Sequence, residues 1–375
     1  MNNQCDIIIT YAWNRVGYNI LRSLSSKGLK VVVADVSSYN ITTVSNRKYG
    51  SFTYPDPINQ EDEFIQVLIK NVNIYCPQML IPTHDEGIII AKHRNKFPKN
   101  LIIPIDSYEK LIKLSDKSYT AKLAEKLNIP IPKTFHIHDR IEHFPIVFKT
   151  KQGNSAKGVY FLNNEDELNH YKQKFKESEV FLQERVPGTD CSVDCIRING
   201  KFYATVYKAL LTKTHNGGTT TQREIIDYPC LIDYSKIILD YIDYYGVCGL
   251  DFKVDFNTNK IAFIEINPRY TGGIATPIQG GFDIPYIHYL LSIHNNHEIQ
   301  VPTIKYGTKT KWILGDIITL VERIITLQLS RKEIRNIFSF SFHAFDDYFK
   351  DDPKIIWGEI CYYFRKLWKN KKLNP

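Results

Sequence analysis

The sequence predicts a mixed α/β and α+β protein: a Rossmann-like N-terminal unit, then a strand-rich region, then a helical and basic C-terminal region. Three observations carry that expectation. Over the first hundred residues, short apolar runs alternate with amphipathic helical patterns, the order from which parallel sheets are built. The run Ile129-Pro-Ile-Pro132 closes a helical segment and marks a boundary, after which strand patterns dominate from Phe144 to Asn267. Beyond Val301 the chain turns helical, aromatic and basic. At 375 residues, two or three domains are expected. The divisions fall at residues 1–110, 111–300 and 301–375.

The elements follow in order. CDIIIT reads as a buried strand, VGYNILRSLSSKG as an amphipathic helix ending at Gly28, and KVVVAD as a second strand. Residues 58–75 form a helix with Phe64, Val67, Leu68 and Val72 on one face, and QMLIPTHDEG is a strand running into a polar loop. The dinucleotide fingerprint G-x-G-x-x-G is missing, because the first turn, TYAWNRVG, offers only Gly17. No nicotinamide cofactor is expected. LSDKSYTAKLAEKLN reads as a helix capped by Ser115 or Asp116, with Tyr119, Leu123 and Leu127 spaced four apart. Further helices are expected around Glu165–Phe175 and Ser235–Tyr245.

Composition narrows the function classes. Hydrophobic residues make up 43% and charged residues 23%, enough apolar material for a sizeable core. The formal charge of +8 is moderate for this length; it suits anionic substrates such as nucleotides and does not indicate nucleic-acid binding. The seven cysteines contain no C-x-x-C pair, so zinc is not expected, and their odd count without a secretory signal reads as reduced thiols in the cytoplasm. The most apolar late stretch, WILGDIITLVERIITL, carries Asp316, Glu322 and Arg323, which argues against a membrane span.

The chemistry concentrates in two strands. CGLDFKVDF places Leu250, Phe252, Val254 and Phe256 on one face and Asp251, Lys253 and Asp255 on the other. KIAFIEINPRYTGG follows after Asn257-Thr258-Asn259. A three-residue loop, with Asn259 in the left-handed position, pairs Phe256 with Lys260 and therefore Asp251 with Glu265 and Gly249 with Asn267. That register also sets Leu250, Phe252 and Val254 opposite Ile266, Ile264 and Ala262, so the apolar faces coincide; a two-residue loop would split them. Asp251, Glu265 and Asn267 then share one polar face, a hard-oxygen set suited to Mg²⁺ or Mn²⁺. The alternative is a solvated strand face, with Lys253 or Arg269 as partners of the acids.

Two further segments bear on phosphate. FPIVFKTKQGNSAKGVYFL is a strand, a glycine-bounded loop and a second strand. It can set Lys149 and the backbone N–H groups of residues 153–158 around phosphates, although it is not a Walker A loop. In VFLQERVPGTDCSVD a strand ends at Gln183-Glu184-Arg185-Val186, turns at Pro187-Gly188 and resumes with Asp190. Its backbone can face an adenine edge and a nearby acid can bond ribose hydroxyls; the alternative is an ordinary hairpin turn.

Together and in this order, these pieces resemble the ATP-grasp superfamily, especially its carbamoyl-phosphate-synthase-like and D-alanine–D-alanine-ligase-like carboxylate–amine ligases. The resemblance runs from about Cys5 to Leu290, and FIEINPR after GLDFKVD is its most specific part. It implies a pre-ATP-grasp α/β domain followed by a two-lobed ATP-grasp domain, with a lid lobe over about 118–187 and a metal-binding lobe over about 188–300. It implies ATP and Mg²⁺ as cofactors. Lys117 and Lys149 would contact the nucleotide phosphates, and the lid loop, with Gly153, Ser155 and Gly158, would cover the β- and γ-phosphates. Glu184, Arg185 and Val186 would meet adenine, Asp190 would meet ribose, and Asp251, Glu265 and Asn267 would hold the metal. Arg269 would face the transferred phosphate, and PTHDEG (Pro82–Gly87) would lie at the active-site edge. Lys213, His215 and Arg223, around a Gly-Gly turn, are candidates for γ-phosphate or acceptor contacts, or else belong to a solvated loop. Within THDEG, Asp85 or Thr83 could instead cap a helix.

The implied reaction is ATP-dependent amide formation between a small-molecule carboxylate and an amine, through an acyl-phosphate. The alternative is a non-catalytic ATP-grasp-fold binding protein that docks at a membrane or partner through its basic C-terminal region. The tail YYFRKLWKNKK interleaves Arg365, Lys366, Lys369, Lys371 and Lys372 with Tyr363, Phe364 and Trp368. It reads first as a helix packed on the body with a solvated basic end. It would also suit an anionic membrane surface or an anionic glycan carrier, which raises a cell-envelope sugar precursor as a substrate.

Overall fold

The computed structural model describes residues 4–151, 158–214, 217–294, 299–300, 303–327, 330–339 and 341–370. The N-terminal unit runs β1 (Ile7–Thr10), α1 (Arg15–Ser26), β2 (Val31–Asp35), β3 (Gly50–Thr53), α2 (Glu61–Tyr75), β4 (Met79–Pro82) and α3 (Glu86–Lys92). Its sheet has the order β3-β2-β1-β4 with every pair parallel. Ile7–Ile9, Val31–Val33 and Met79–Ile81 are buried on both faces, which is why these strands read as continuous apolar runs. The edge strand β3, GSFT, is half exposed and lacks such a run, so the sequence gives no sign of it. Asn14 caps α1 by accepting from Gly17 N at 3.1 Å. A Cβ on Gly17 would lie 2.8 Å from Ala12 Cα, so this glycine allows the helix to pack on its own leading loop.

Helices α4 (Tyr108–Ser115) and α5 (Lys117–Lys126) lead into a four-stranded antiparallel sheet. Its strands are β5 (Thr134–Phe135), β6 (Ile146–Thr150), β7 (Val159–Leu162) and β8 (Val180–Glu184), in the order β5-β8-β6-β7, with α6 (Glu165–Lys174) packed across. Asp116, one of the two expected caps, accepts from Ser118 N and Tyr119 N. Tyr119 itself is exposed; the inward face of α5 is Thr120, Ala121, Leu123 and Ala124.

The central sheet has seven strands: β9 (Thr189–Ile198), β10 (Lys201–Thr214), β11 (Gly217–Ile226), β12 (Gly246–Asp255), β13 (Lys260–Asn267), β14 (Lys309–Lys311) and β15 (Ala344–Phe345). Their order is β13-β12-β9-β10-β11-β14-β15. Helix α7 (Pro229–Tyr241) precedes β12; it starts earlier than the expected Ser235 because Pro229 occupies its first turn, where the missing N–H costs nothing. Helices α8 (Ala275–Gln279) and α9 (Ile284–Ile293) follow β13, then α10 (Ile313–Ile325), α11 (Arg331–Ile337) and α12 (Ile355–Asn370).

The C-terminal region is therefore not purely helical. Two of its strands extend the central sheet, and Trp312 beside them is fully buried. Helix α12 packs on the N-terminal unit: Tyr363 is buried, and Tyr362 stacks on Trp13 with ring centroids 4.5 Å apart. Of the tail residues, Arg365 lies over Tyr39 at 5.2 Å and Lys366 over Trp13 at 5.1 Å, while Lys371 and Lys372 lie outside the described residues.

The β12–β13 hairpin has the expected pairing at its far end: Gly249 with Asn267, Leu250 with Ile266 and Asp251 with Glu265. Near the turn the register differs. Asp255, not Phe256, pairs with Lys260, so the loop is one residue longer than expected, and Phe252 pairs with Phe263. A bulge at Ile264 restores the pairing beyond it. Phe263 and Ala262 both become buried, while Ile264 is only partly so; packing of two bulky aromatics, Phe252 and Phe263 at 5.6 Å between centroids, overrides strict alternation. Asn259 takes the left-handed backbone, φ 54°.

Candidate functional site

The acidic pair is the centre of the site. Asp251 and Glu265 are directly opposed across β12 and β13, and Asn267, two residues along β13, donates from Nδ2 to Asp251 Oδ2 at 2.9 Å and to Glu265 Oε1 at 3.4 Å. Ser192, opposite Asp251 on β9, donates to Asp251 Oδ1 at 2.5 Å. Lys117, in the first turn of α5, brings Nζ to 3.2 Å from Glu265 Oε2. Lys149, on β6, is buried and donates to Gln183 Oε1 at 2.7 Å, so its cation is held between the two sheets rather than in solvent.

Charges in this cluster tune one another. Burial, with the neighbouring Glu265 charge, pushes the Asp251 carboxyl up to about 7. Burial acts in the same direction on Glu265, but Lys117 and Lys149 outweigh it and hold that carboxyl below its usual value. Burial lowers the Lys149 ammonium to about 8, against the pull of Glu265. The donor set fits a hard divalent cation. Two carboxylates and an amide supply only oxygen ligands, and the Glu265 repulsion that adds to burial in raising Asp251 is what a cation between the two acids would relieve. As arranged, the Asn267 carbonyl oxygen accepts from Arg269 Nη2 at 3.2 Å, so serving as a ligand requires the amide to turn. Among the described residues no group of three or more His, Cys, Asp and Glu is placed to hold a metal, which leaves this mixed carboxylate–amide set as the candidate.

Arg269 reaches the N-terminal unit. Its Nε donates to Asp85 Oδ1 at 3.0 Å, and Asp85 is also 3.3 Å from His84 Nδ1. Burial raises the Asp85 carboxyl, but His84 and Arg269 prevail and hold it well below the carboxylate range. Neither Asp85 nor the Thr83 side chain caps α3. Glu86, the first residue of α3, instead ties the preceding loop to β1: its Oε1 accepts from Thr83 N at 2.9 Å and Thr10 Oγ1 at 2.8 Å. A small pocket lies behind this junction, lined by Asp85, Ile88, Pro104, Arg269, Tyr270 and His288 among others.

Other expected residues are placed as follows. Glu184 is exposed at the end of β8 and clasps Lys133, accepting from its N–H at 2.9 Å and donating to its carbonyl at 2.8 Å. Arg185 lies over the Phe161 ring at 5.4 Å, and Val186 is half-buried in the turn before β9. Asp190 pairs with Lys253 at 2.7 Å, so a ribose would have to compete with that lysine. Gly158 closes the loop onto β6: its φ is +75°, and a Cβ would meet Thr150 Oγ1 at 2.1 Å. Lys213 is half-buried near the end of β10. Gly153, Ser155 and His215 lie outside the described residues.

Arg223 lies away from solvent. Its side chain is fully buried, paired with Asp346 and donating to Thr276 Oγ1 at 3.0 Å, Thr220 O at 3.1 Å and Gly272 O at 3.3 Å. Each of its three nitrogens bonds the protein, and the side chain braces the loop after β13. Asp346 also pairs with Arg15 at 3.2 Å. Sequence reasoning did not name the side chains of Gln183 and Ser192 as part of the site, and it placed Asp85 at the active-site edge without a partner. Ser192 was in principle legible once β9 is paired with β12, since it then faces Asp251; Asp85 could not be linked to Arg269 across 184 residues.

The Lys149 environment makes a pH-dependent prediction. Its ammonium is present below about 8 and is lost as the pH rises through that value. With Lys149 at the nucleotide phosphates, as the resemblance implies, nucleotide affinity of the free protein is expected to fall over that rise by roughly 10-fold. Lys149→Gln is expected to bind more weakly at neutral pH and to flatten the profile. Calorimetric titration with Mg·ADP between pH 7 and pH 9 checks this, and an unchanged profile in the variant removes Lys149 from the phosphate contacts.

Residues 176–315 match the family described as ATP-grasp in the biosynthetic pathway with Ter operon. The chain is 25% identical over 190 residues to a D-alanine–D-alanine ligase of Petrotoga mobilis, covering 49% of this chain and 54% of that protein. It is 23% identical over 261 residues to a carbamoyl-phosphate synthase of Methanobrevibacter smithii, covering 62% and 68%. It thus spans about half the length of the first of these relatives. In three dimensions it resembles N5-carboxyaminoimidazole synthetase from Staphylococcus aureus, solved with ADP, with a TM-score of 0.65 at 16% identity over 86% of each chain. That likeness is one of fold.

Proposed function

We propose that the chain is an ADP-forming carboxylate–amine ligase using ATP and Mg²⁺, a reading supported by its match to an ATP-grasp family over residues 176–315 and its similarity to a D-alanine–D-alanine ligase. The observation that carries the proposal is the convergence of Lys117, Lys149 and Asn267 on the opposed pair Asp251 and Glu265. Bound Mg²⁺ would neutralise phosphate charge at that pair. Lys117 then exchanges Glu265 for a phosphate oxygen, and Lys149 supplies a second fixed cation. Arg269, steadied by Asp85, faces the oxygens that gain charge as the phosphoryl group moves.

A substrate carboxylate oxygen attacks the γ-phosphorus, the bond to the β–γ bridging oxygen breaks, and ADP leaves. The amine nitrogen attacks the acyl carbon, the carbon–oxygen bond to phosphate breaks, and the nitrogen gives up a proton as phosphate departs. No nucleophilic side chain is required; positioning and charge neutralisation supply the catalysis. An amino acid is proposed as one substrate, by analogy with the D-alanine–D-alanine ligase relative. A cell-envelope sugar precursor is proposed as the other, suggested by the basic aromatic tail alone.

Mg²⁺-dependent release of ADP and phosphate across pooled carboxylates and amines tests the proposal. Release that requires one member of each pool is expected and names the substrates. Failure to bind Mg·ATP at all would overturn the ligase reading.

A further inference from the structure

Helix α10 is inside out. Its buried positions are glycine or polar: Gly315, Asp316, Thr319 and Arg323. Asp316 accepts from Gln222 at 2.6 Å and pairs with Lys311 at 3.2 Å, Thr319 donates to Gly315 O at 2.8 Å, and Arg323 pairs with Glu333 and donates to Thr212 O at 2.8 Å. The outward face carries Ile317, Val321 and Ile324, spaced four and then three apart, so that they form one ridge. Ile325 and Leu327 extend it, at 75% and 94% exposure. Helix α11 adds Ile334, and Phe338 follows at its C-terminal end, both exposed. Half of the exposed large hydrophobic side chains among the described residues fall between Ile317 and Trp368, so the ridge is not ordinary surface scatter. A surface helix normally turns its apolar stripe to the core. Here the hydrogen bonds and ion pairs of Asp316 and Arg323 hold the opposite orientation, and the aliphatic face is left uncovered by the described residues.

Charge identifies what covers it. The acids of this region lie mostly inside: Asp316, Asp346, Asp347, Asp352 and Glu359 are all buried. The bases lie outside, with Arg331, Arg335, Lys350, Lys354 and Arg365 exposed. Arg331 and Arg335 share α11 with Ile334, placing cations beside the aliphatic ridge. A second copy of the chain would bring one basic face against another. An anionic bilayer offers both a hydrocarbon boundary for the isoleucines and negative headgroups for the arginines. At 13 residues, α10 is about 20 Å long, and no helix among the described residues is long and apolar enough to cross a membrane. Helix α12 repeats the pattern, with Trp357, Phe364 and Trp368 exposed on one stripe, residue types that favour the membrane–water interface.

We propose that the chain docks peripherally on an anionic membrane surface through the α10–α11 hairpin, with the aliphatic ridge at the headgroup–acyl boundary. The site is separate from the Asp251–Glu265 centre, and the proposal stands or falls independently of the ligase reading.

The test is sedimentation of the full chain with vesicles of phosphatidylcholine alone and of phosphatidylcholine mixed with phosphatidylglycerol. Binding is expected only to the mixed vesicles and is expected to weaken with added salt. Arg331→Gln with Arg335→Gln is expected to lower affinity roughly 30-fold, taking each basic residue near the surface as a factor of about five. Ile324→Gln with Ile325→Gln is expected to abolish binding while leaving thermal unfolding unchanged, because both side chains are already in solvent. Ile58→Gln, at an exposed isoleucine of the N-terminal unit, is expected to bind like the parent. Absence of binding to mixed vesicles overturns the proposal, as does binding that both double variants retain. A concentration-dependent dimer lost in the isoleucine variant, without vesicle binding, would assign the ridge to a second copy instead.

Discussion

Glu265→Gln is expected to lower Mg²⁺-dependent ADP release by roughly 10²–10³-fold, the range seen when one preorganised electrostatic group is removed from a transition state. The substitution keeps shape and hydrogen-bonding capacity but deletes the charge that faces Lys117 at 3.2 Å and opposes Asp251 across the hairpin. Asp251→Asn is expected to act in the same direction. Loss of the Glu265 charge also removes what holds the buried Lys149 protonated, so the Lys149 ammonium is expected to fall further below about 8. Steady-state assays with saturating substrates, alongside thermal unfolding to confirm the fold, check the prediction. Turnover equal to the parent would exclude Glu265 from the reaction.

Asp346→Ala is expected to cost about 3–5 kcal/mol of stability, the range for breaking a fully buried ion pair by removing one partner. Asp346 has no exposed surface and meets two arginines, Arg15 of α1 and Arg223 of β11. Arg15 is held further by Trp312, whose ring lies 3.8 Å from the guanidinium carbon. Without Asp346, two buried cations lose their counter-ion at the point where the N-terminal unit, the central sheet and the C-terminal region meet. Denaturant unfolding measures the loss. Replacing Asp346 and Arg223 together with apolar residues of similar volume is expected to recover part of it, since an apolar replacement leaves fewer charges stranded. A single variant as stable as the parent would show that the pair does not join these regions.

Much of the site was legible because it lies on two strands adjacent in sequence. Alternation alone put Asp251, Glu265 and Asn267 on one face, and a short loop limited the possible registers. The pairing came out as expected at the acids even though the turn did not. The longer loop and the bulge at Ile264 offset each other, an outcome decided by how Phe252 and Phe263 pack. Capping at Asp116 was legible for the same reason, since a cap bonds residues two and three places away.

What the sequence by itself determined, then, was local: strand and helix periodicity, the acidic face of one hairpin, the helix cap beside Lys117, and an order of motifs that resembles the ATP-grasp superfamily. Tertiary structure alone decided the partners of charged side chains. Arg223 and Arg269 are both arginines beside glycine pairs in sequence, yet one is sealed against Asp346 and the other bridges to Asp85. It also decided that the polar face of α10, and not its isoleucines, points inward. The physical reason is range. Periodicity and capping act over a few residues of backbone, whereas burying a charge is tolerated only where a distant segment brings the opposite charge, and nothing local encodes which segment that is.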